Sequence, residues 1–501
     1  MSATLPALTA VGPPRLLAGL DRAGRLDRVA HLAVHGSLPR LRPEELVALA
    51  EDTGLRGRGG AGFPFARKLR AVLAAAGGRA PRTAVVVNGS EGEPGCLKDT
   101  ALLLYAPHLV LDGALLAAAA LGAGEVAVGV HRADVERSVR GAVAERGPDA
   151  RRVRVERLPD RFVAGESSAL VAGLGGGAAL PSGRRVRTSE SGLGGLPTLL
   201  SNTETFAQLA VAARLGALPY RETGDPAEPG TVLLTVAGTW VVEAPTGVPL
   251  PYVLRVCGLE PGRGVLVGGY HGGWLGPRDA ARAVVSRESL AGFGAVLGAG
   301  AVLPLPHDTC PVGETLRVVR WLAAESAGQC GPCVLGLPAL ADVLAAVERG
   351  AGPAALDALH TALGSVRGRG ACSHPDGTAR FAASAAAAFP DEFAAHAVGA
   401  GCGLPVLGAL PVPAGRGPVA APPLAADSGP DGPPGPRTEA LTVDWTLCQG
   451  HGLCADIVPE VVELGADGYP AQAAMPVPRR LRGQAVRAVR RCPALALRMQ
   501  G

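Results

Sequence analysis

The chain has 501 residues, a formal net charge of +4, and 48% hydrophobic residues, many of them alanine. That length exceeds what one hydrophobic core organises and predicts three or four domains of ~100–200 residues each. The mild positive charge comes without a basic cluster interleaved with aromatics, which excludes a nucleic-acid surface, and the uncharged stretches 290–306 and 397–415 are broken by glycine and proline, so neither supplies the ~20 apolar residues of a direct membrane span.

Residues 1–14 lack a basic start followed by an apolar run and a small-residue cleavage site, so the expected compartment is the cytoplasm, with any membrane association peripheral and made through partner subunits. Thiols stay reduced there. Six of the ten cysteines fall into two spaced groups, Cys330, Cys333 and Cys372, then Cys448, Cys454 and Cys492. This spacing suits thiolate ligation better than disulfides. Cys96, Cys257, Cys310 and Cys402 read as ordinary thiols. Of 48 basic side chains only Lys68 and Lys98 are lysine, and the only asparagines are Asn88 and Asn202. All four stand in or beside the motif-like blocks below.

In chain order, residues 1–40 form an N-terminal segment. From 41 to 229, helical periodicity alternates with β-rich runs such as Ala84-Val85-Val86-Val87 and Val126-Ala127-Val128-Gly129-Val130, which predicts an α/β layer structure. From 230 to 305 the pattern changes to short strands and turns, with strands at 231–236 and 264–269 and a helix near 252–257; this predicts a small β-rich domain. Residues 306–400 form a helical bundle, with Leu316, Val319, Leu322 and Ala323 at helical spacing. Ten prolines within 403–437 make 401–438 a linker, and 439–501 a separate module.

The first chemical block is Gly57-Arg58-Gly59-Gly60-Ala61-Gly62-Phe63-Pro64, followed by a helix-compatible run. Such a loop brings backbone N–H groups close to an anion at the positive end of a helix dipole. Next comes Asn88-Gly89-Ser90-Glu91-Gly92-Glu93-Pro94-Gly95 with Lys98-Asp99 beyond it, at the carboxyl end of a strand, where open α/β folds bind ligands. Two further blocks, Phe162-Val163-Ala164-Gly165-Glu166-Ser167-Ser168-Ala169-Leu170 and Leu200-Ser201-Asn202-Thr203-Glu204-Thr205-Phe206, add polar side chains beside apolar runs. Taken singly, each also reads as a cap or turn.

In order and spacing the four blocks resemble the FMN- and NADH-binding region of the 51 kDa-type flavoprotein subunit of respiratory complex I and of related diaphorase subunits. The resemblance covers roughly residues 45–400. It implies a Rossmann-like FMN-binding α/β domain at 41–229, a β-grasp domain at 230–305, and a helical iron–sulfur domain at 306–400. It also implies that Gly57, Arg58, Gly59, Gly60, Lys68, Asn88, Asn202 and Thr205 hold FMN, with Phe63, Glu93 and Glu166 facing the dinucleotide; Glu91 and Gly165 of the same blocks complete the cofactor-binding candidates. Against the family pattern, Ser90 replaces an aspartate, Ser167 a glutamate and Ser201 an asparagine, and the positions of the adenine-flanking aromatics fall at Ala71 and at Val186 and Arg187. NADH, NADPH and no nucleotide therefore all stay open, and a lost carboxylate near the adenosine ribose relaxes discrimination against a 2′-phosphate.

In Glu325-Ser326-Ala327-Gly328-Gln329-Cys330-Gly331-Pro332-Cys333, with Cys372 beyond, three thiolates suit an iron–sulfur cluster, which takes four ligands. The family's first cysteine is Ala327 here. A non-cysteine ligand such as His374, a three-iron cluster, or a lost cluster are the three completions; zinc suits three cysteines and a histidine geometrically, and the flavin-type blocks upstream favour iron.

Residues 439–501 carry Cys448-Gln449-Gly450-His451-Gly452-Leu453-Cys454 and Cys492-Pro493, the thread of a bacterial ferredoxin with His451 in the middle ligand position. This module resembles the single-cluster ferredoxins of actinobacteria. Three cysteines with a three-iron cluster and a four-iron cluster with His451 as ligand are the two readings. Asp444-Trp445 and Asp467-Gly468-Tyr469 fit that α+β module.

The expected function is an oxidoreductase passing electrons between a nicotinamide nucleotide and iron–sulfur clusters through FMN. Its partners are NADH or NADPH and an electron-acceptor protein or further subunits of a redox complex, with the ferredoxin module swinging on its linker. The alternative is a non-catalytic relay or assembly subunit in which only the C-terminal cluster works.

Overall fold

The computed structural model describes residues 6–77, 83–183, 187–413, 439–444, 447–465 and 468–500. Most of the expected linker, and Val186, Trp445 and Asp467, lie outside the described residues.

The first unit is built on a four-stranded parallel sheet ordered Val153–Arg157, Glu125–Val130, Ala84–Gly89, Thr198–Asn202. Val85, Val86, Val87, Val126 and Val128 are fully buried, as expected where helices cover both faces of a parallel sheet and strands read as continuous apolar runs. The chain runs outward from Ala84–Gly89 to one side, then returns to place Thr198–Asn202 on the other. The order therefore reverses beside Asn88, whose register partner is Asn202. Ligands bind beyond the carboxyl ends of strands at such a reversal.

Helices Pro107–Ala120 and Thr203–Leu215 pack closely against this sheet. The approach needs Gly113, since a Cβ there would collide with the backbone carbonyl of Phe206. On the same helix, buried Asp112 accepts from His31 at 2.7 Å and from Arg146 at 2.5 Å, and is paired with Arg214. Burial alone would raise the Asp112 pKa; these partners outweigh it and hold the carboxyl far below its usual range.

The second unit is a six-stranded mixed sheet, ordered Ala7–Ala10, Trp240–Pro245, Thr231–Val236, Ala301–Leu305, Gly264–Val267, Gly273–Leu275. The strand at Thr231–Val236 and the helix at Leu250–Val256 fall where the sequence pattern puts them. Ala7–Ala10 pairs in parallel with Trp240–Pro245, so part of the N-terminal segment is a sheet edge. Buried Glu243 fixes this return by accepting the backbone N–H groups of Arg15, Leu16 and Leu17.

Five helices follow, Pro311–Ala324, Leu337–Glu348, Ala354–Val366, His374–Ala388 and Pro390–Ala397. They share a core with Leu316, Val319 and Leu322 inside it. The last unit is a three-stranded antiparallel sheet with Ala440–Val443 between Ala474–Pro476 and Leu497–Gln500, closed by the helix Arg482–Arg491 over its own core.

Among the described residues no single helix is long and apolar enough to cross a membrane. The pair Lys98–Tyr105 and Pro107–Ala120 passes on composition together, but it is bent by 93°, and most of its residues are buried in the core.

Candidate cofactor cleft and cluster sites

The reversal of strand order opens into a cleft of about 650 Å³. Its wall includes Gly57, Arg58, Gly59, Gly60, Phe63, Lys68, Asn88, Glu91, Glu93, Gly165, Glu166 and Asn202. Every expected cofactor-binding residue is thus brought together except Thr205, which is fully buried behind the loop and accepts the Arg58 N–H at 2.9 Å. From there its hydroxyl oxygen holds the glycine loop through the Arg58 N–H.

The loop's conformation explains its glycines. Gly60 and Gly62 adopt φ of +123° and +61°, a region L side chains avoid, and a Cβ on Gly59 would stand 2.9 Å from the Asn202 Cβ. Arg287, from the second unit, donates to the Gly57 carbonyl at 3.0 Å and pairs with Glu228. The Arg58 guanidinium turns inward to Glu228 at 3.2 Å, so this arginine anchors the loop instead of reaching across the cleft.

Several polar residues of the wall are already engaged. Asn202 caps the helix Thr203–Leu215 through the Glu204 N–H and donates to Asp99 at 2.5 Å. Asn88 donates to the Gly165 carbonyl at 2.9 Å and accepts the Ser90 N–H. Glu91 caps the helix Lys98–Tyr105 through the N–H groups of Asp99 and Thr100, and Glu166 caps Ser167–Leu174 through those of Ser168 and Ala169. The reading of the Glu166 and Asn202 blocks as caps therefore holds alongside their place on the cleft wall, and Glu91 caps a helix as well.

Lys68 is different. Its ammonium donates to the Leu200 carbonyl at 2.7 Å, burial lowers its pKa, and among the described residues it makes no salt bridge with a carboxylate. Lys98, also on the wall, is neutralised by Asp99 at 2.8 Å and Glu204 at 3.1 Å. The buried Ser90 hydroxyl has no hydrogen-bond partner among the described residues. A half-buried cation that pairs with no carboxylate among the described residues, a hydroxyl without a partner there and a glycine cradle together fit a phosphate-bearing ligand.

Glu93 is half-buried in the cleft wall and accepts the Tyr270 N–H at 3.0 Å. Burial pushes its carboxyl up to about 8, with Glu91 adding to the rise and the Tyr270 hydrogen bond opposing it.

The same cleft is lined by Cys372, His271 and His374. Cys330 and Cys333 lie behind, nearly inaccessible, with Leu337 against them, and Cys333 sits in the π-type turn Pro332–Gly336. Backbone N–H groups of Ala371 and Cys333 and the Cys333 thiol point at the Cys330 sulfur, which outweighs burial and holds its pKa below the ordinary thiol range. Ala327 is buried, and its N–H points at the Cys333 sulfur, so the residue that replaces a cysteine stands beside the thiols.

His374, the candidate for a non-cysteine fourth ligand, is already engaged at both ring nitrogens. Its Nε2 meets the Leu322 carbonyl at 2.8 Å and its Nδ1 meets His271 at 3.2 Å, so both ring nitrogens are occupied. Burial lowers its pKa to about 4. With Phe162, which contacts His271, His374 and Trp321, it forms an aromatic partition between cleft and helices.

In the C-terminal module, Gly450 and Gly452 adopt φ of +65° and +72°, wrapping loop 448–454 around its thiols. Burial raises the Cys454 thiol to about 12, and nearby Cys448 and Cys492 add to the rise, so the three cysteines converge. His451 is buried beside them.

A grouping that sequence reasoning missed is Cys310, His396 and Cys402, whose ligand atoms all lie within 4.8 Å of one another. The His396 Nε2 is 3.3 Å from each sulfur. Also missed were His271 and Arg380 on the cleft wall and Arg287 behind it; Lys98, noted in the sequence for the scarcity of lysine, lines the wall too.

Residues 50–211 match the Nuo51 FMN-binding domain, residues 314–396 the NADH-ubiquinone oxidoreductase-F iron-sulfur binding region, and residues 441–499 a 4Fe-4S single cluster domain. The chain is 30% identical over 388 residues to the F 2 subunit of NADH-quinone oxidoreductase from Rhizobium meliloti, covering 73% of this chain and 91% of that protein. It is 31% identical over 386 residues to the F subunit of NADH-quinone oxidoreductase from Streptomyces coelicolor, covering 72% and 85%. With the HndC subunit of the NADP-reducing hydrogenase from Solidesulfovibrio fructosivorans it shares 26% identity over 445 residues, 84% of each chain. Among solved structures, the NAD+-reducing [NiFe]-hydrogenase in its H2-reduced state matches with a TM-score of 0.68 and 28% identity, over 79% of this chain and 68% of that one.

Proposed function

The chain belongs to the family of NADH-quinone oxidoreductase F subunits, and from that premise we propose how its own residues divide the work. It is an FMN- and iron–sulfur-dependent oxidoreductase of the NADH dehydrogenase type that passes electrons from a nicotinamide nucleotide to iron–sulfur clusters. The observation that carries the assignment of residues is the shared wall: the glycine loop, Lys68 and Cys372 line one cleft.

Lys68 and the N–H groups of the glycine loop would hold the FMN phosphate, and Asn88 and Asn202, side by side at the ends of the two central strands, would line the rest of its cleft. Gly57, Arg58 and Thr205 keep the loop in place. Phe63, 44% exposed, stands at the mouth, where it meets the incoming nucleotide; Glu91, Glu93, Gly165 and Glu166 line the rest of that space. When bound, FMN supplies hydride acceptance and single-electron release. The aromatic partition of Phe162, His271 and His374 stands between the cleft and the helix carrying Trp321, while Cys372 itself lines the cleft. Both histidines are held neutral by burial, so no proton need move with an electron through this wall.

Cys330, Cys333 and Cys372 hold the first cluster, and Cys448, Cys454 and Cys492 with His451 beside them hold the second. Iron suits the first group better than zinc. The match of residues 314–396 to an iron-sulfur binding region supports that choice, and a flavin beside the thiols calls for a single-electron acceptor. The division into an FMN domain at 41–229, a β-grasp domain at 230–305 extended by Ala7–Ala10, a helical cluster domain at 306–400 and a ferredoxin at 439–501 follows from the same reading. The protein works in the cytoplasm as one subunit of a larger redox complex, and reaches any membrane through its partners.

The test is anaerobic purification with flavin, iron and sulfide analysis, then rapid mixing with NADH and with NADPH. Flavin bleaching by one of them is expected. Lys68→Ala should lower bound flavin per chain at least tenfold; full retention in that variant would remove Lys68 from the phosphate site.

A further inference from the structure

Loop 448–454 of the C-terminal module is seated on loop 330–333 of the helical unit. The Gly331 N–H donates to the His451 carbonyl. Neither glycine at this contact tolerates a side chain: a Cβ on Gly331 would stand 2.8 Å from the Gly450 carbonyl oxygen, and one on Gly452 would stand 2.6 Å from the Gly331 nitrogen. The two thiol-bearing loops therefore touch backbone to backbone. Around this point, the Arg369 guanidinium lies over the Tyr469 ring at 5.0 Å and its Nη1 donates to the Ser365 carbonyl at 3.2 Å. Pro493, next to Cys492, faces Gly183 and Ala371, where a Cβ on Gly183 would stand 3.0 Å from the Pro493 ring.

We propose that this seat is an electron-transfer junction: the C-terminal module docks as the resident acceptor of the Cys330 site, with Gly331 and Gly452 setting the approach and Arg369 clamping the module through Tyr469. The inference rests on the reading of both thiol groups as cluster sites, and replaces a freely swinging carrier with a module that has a defined inward position. The step is the passage of one electron: the donor group at Cys330 is oxidised, the group at Cys448 and Cys454 is reduced, and no bond or proton changes. The reductant is the nicotinamide nucleotide of the established activity. Glycine at both contact positions has a physical purpose in this reading, because each added side chain would lengthen the gap, and through-space transfer weakens steeply with distance.

The experiment uses the full-length, anaerobically prepared protein, with hydrogen exchange read on segments 327–333 and 448–456 and EPR on the reduced clusters. The wild type should show both segments protected and the two cluster signals broadened by mutual magnetic interaction. Arg369→Ala and Tyr469→Ala should each speed exchange at least tenfold in both segments and return the spectrum to a sum of separate signals, with flavin bleaching unchanged. Fast exchange of either segment in the wild type, or protection unchanged in both variants, would overturn the seat. So would two loaded clusters that do not interact. Loss of iron from one thiol group with both segments still protected would instead sink the cluster reading and, with it, the electron-transfer role, while leaving the docking intact.

Discussion

Replacing Glu93 with glutamine removes a proton-binding group from the cleft wall while keeping the oxygen that accepts the Tyr270 N–H at 3.0 Å. In the fold the Glu93 carboxyl is pushed up from 4.5 to about 8, chiefly by burial. At ~1.4 kcal/mol per pH unit, that rise corresponds to on the order of 5 kcal/mol. The folded state binds this proton more tightly than the unfolded chain does. Its contribution to stability is therefore fully present below pH 4.5, falls as pH rises, and is fully lost above about 8. Glu93→Gln escapes that loss, so its stability relative to wild type should grow steadily between these limits, reaching roughly 3 kcal/mol near pH 7. Infrared difference spectra of wild type minus variant should show the carbonyl band of a protonated carboxyl at pH 6, and should lose it with a midpoint near 8. Urea unfolding of both proteins at pH 5, 7 and 8.5 supplies the energies. A band absent at pH 6, or a stability difference that does not change with pH, would refute the argument that burial governs this carboxyl.

Gly113→Ala places a methyl group against the Phe206 carbonyl and should cost about 1–3 kcal/mol, read as a lower melting temperature; an unchanged one would mean the helices separate freely. Asp112→Asn leaves Arg146 and Arg214 buried without their carboxylate and should cost about 3–5 kcal/mol, again by thermal unfolding, with a loss under 1 kcal/mol counting against the network. Ala327→Cys adds a fourth thiol beside Cys333, so iron per chain should rise and the EPR spectrum should change toward that of a four-thiolate cluster; an unchanged ratio and spectrum would show that position 327 does not face the cluster.

The arrangement also explains why an FMN-type cleft works with so many residues that double as helix caps. Glu91, Glu166 and Asn202 each satisfy orphaned N–H groups at a helix start, and three helices thereby point their positive ends toward one space. A substitution among them is expected to affect local folding and ligand binding together, which makes Lys68 and Glu93 the cleaner probes.

What the sequence determined by itself was local. Apolar runs such as Val85-Val86-Val87 had to become buried strands, glycines at 60, 62, 450 and 452 permitted backbone angles other residues resist, and the spacing of Cys330, Cys333, Cys448 and Cys454 fixed two thiol loops. These are properties of a few consecutive residues, carried by periodicity and backbone sterics. Tertiary structure decided what distant segments do to one another: it moved Thr205 behind the loop, used up both nitrogens of His374, carried Cys372 into the cleft, and folded Ala7–Ala10 onto Trp240–Pro245. It also gathered Cys310 with His396, 86 residues away, and set Gly331 against His451. No local pattern encodes such contacts, because they depend on how whole helices and sheets pack, and packing is settled only when all the elements are buried together.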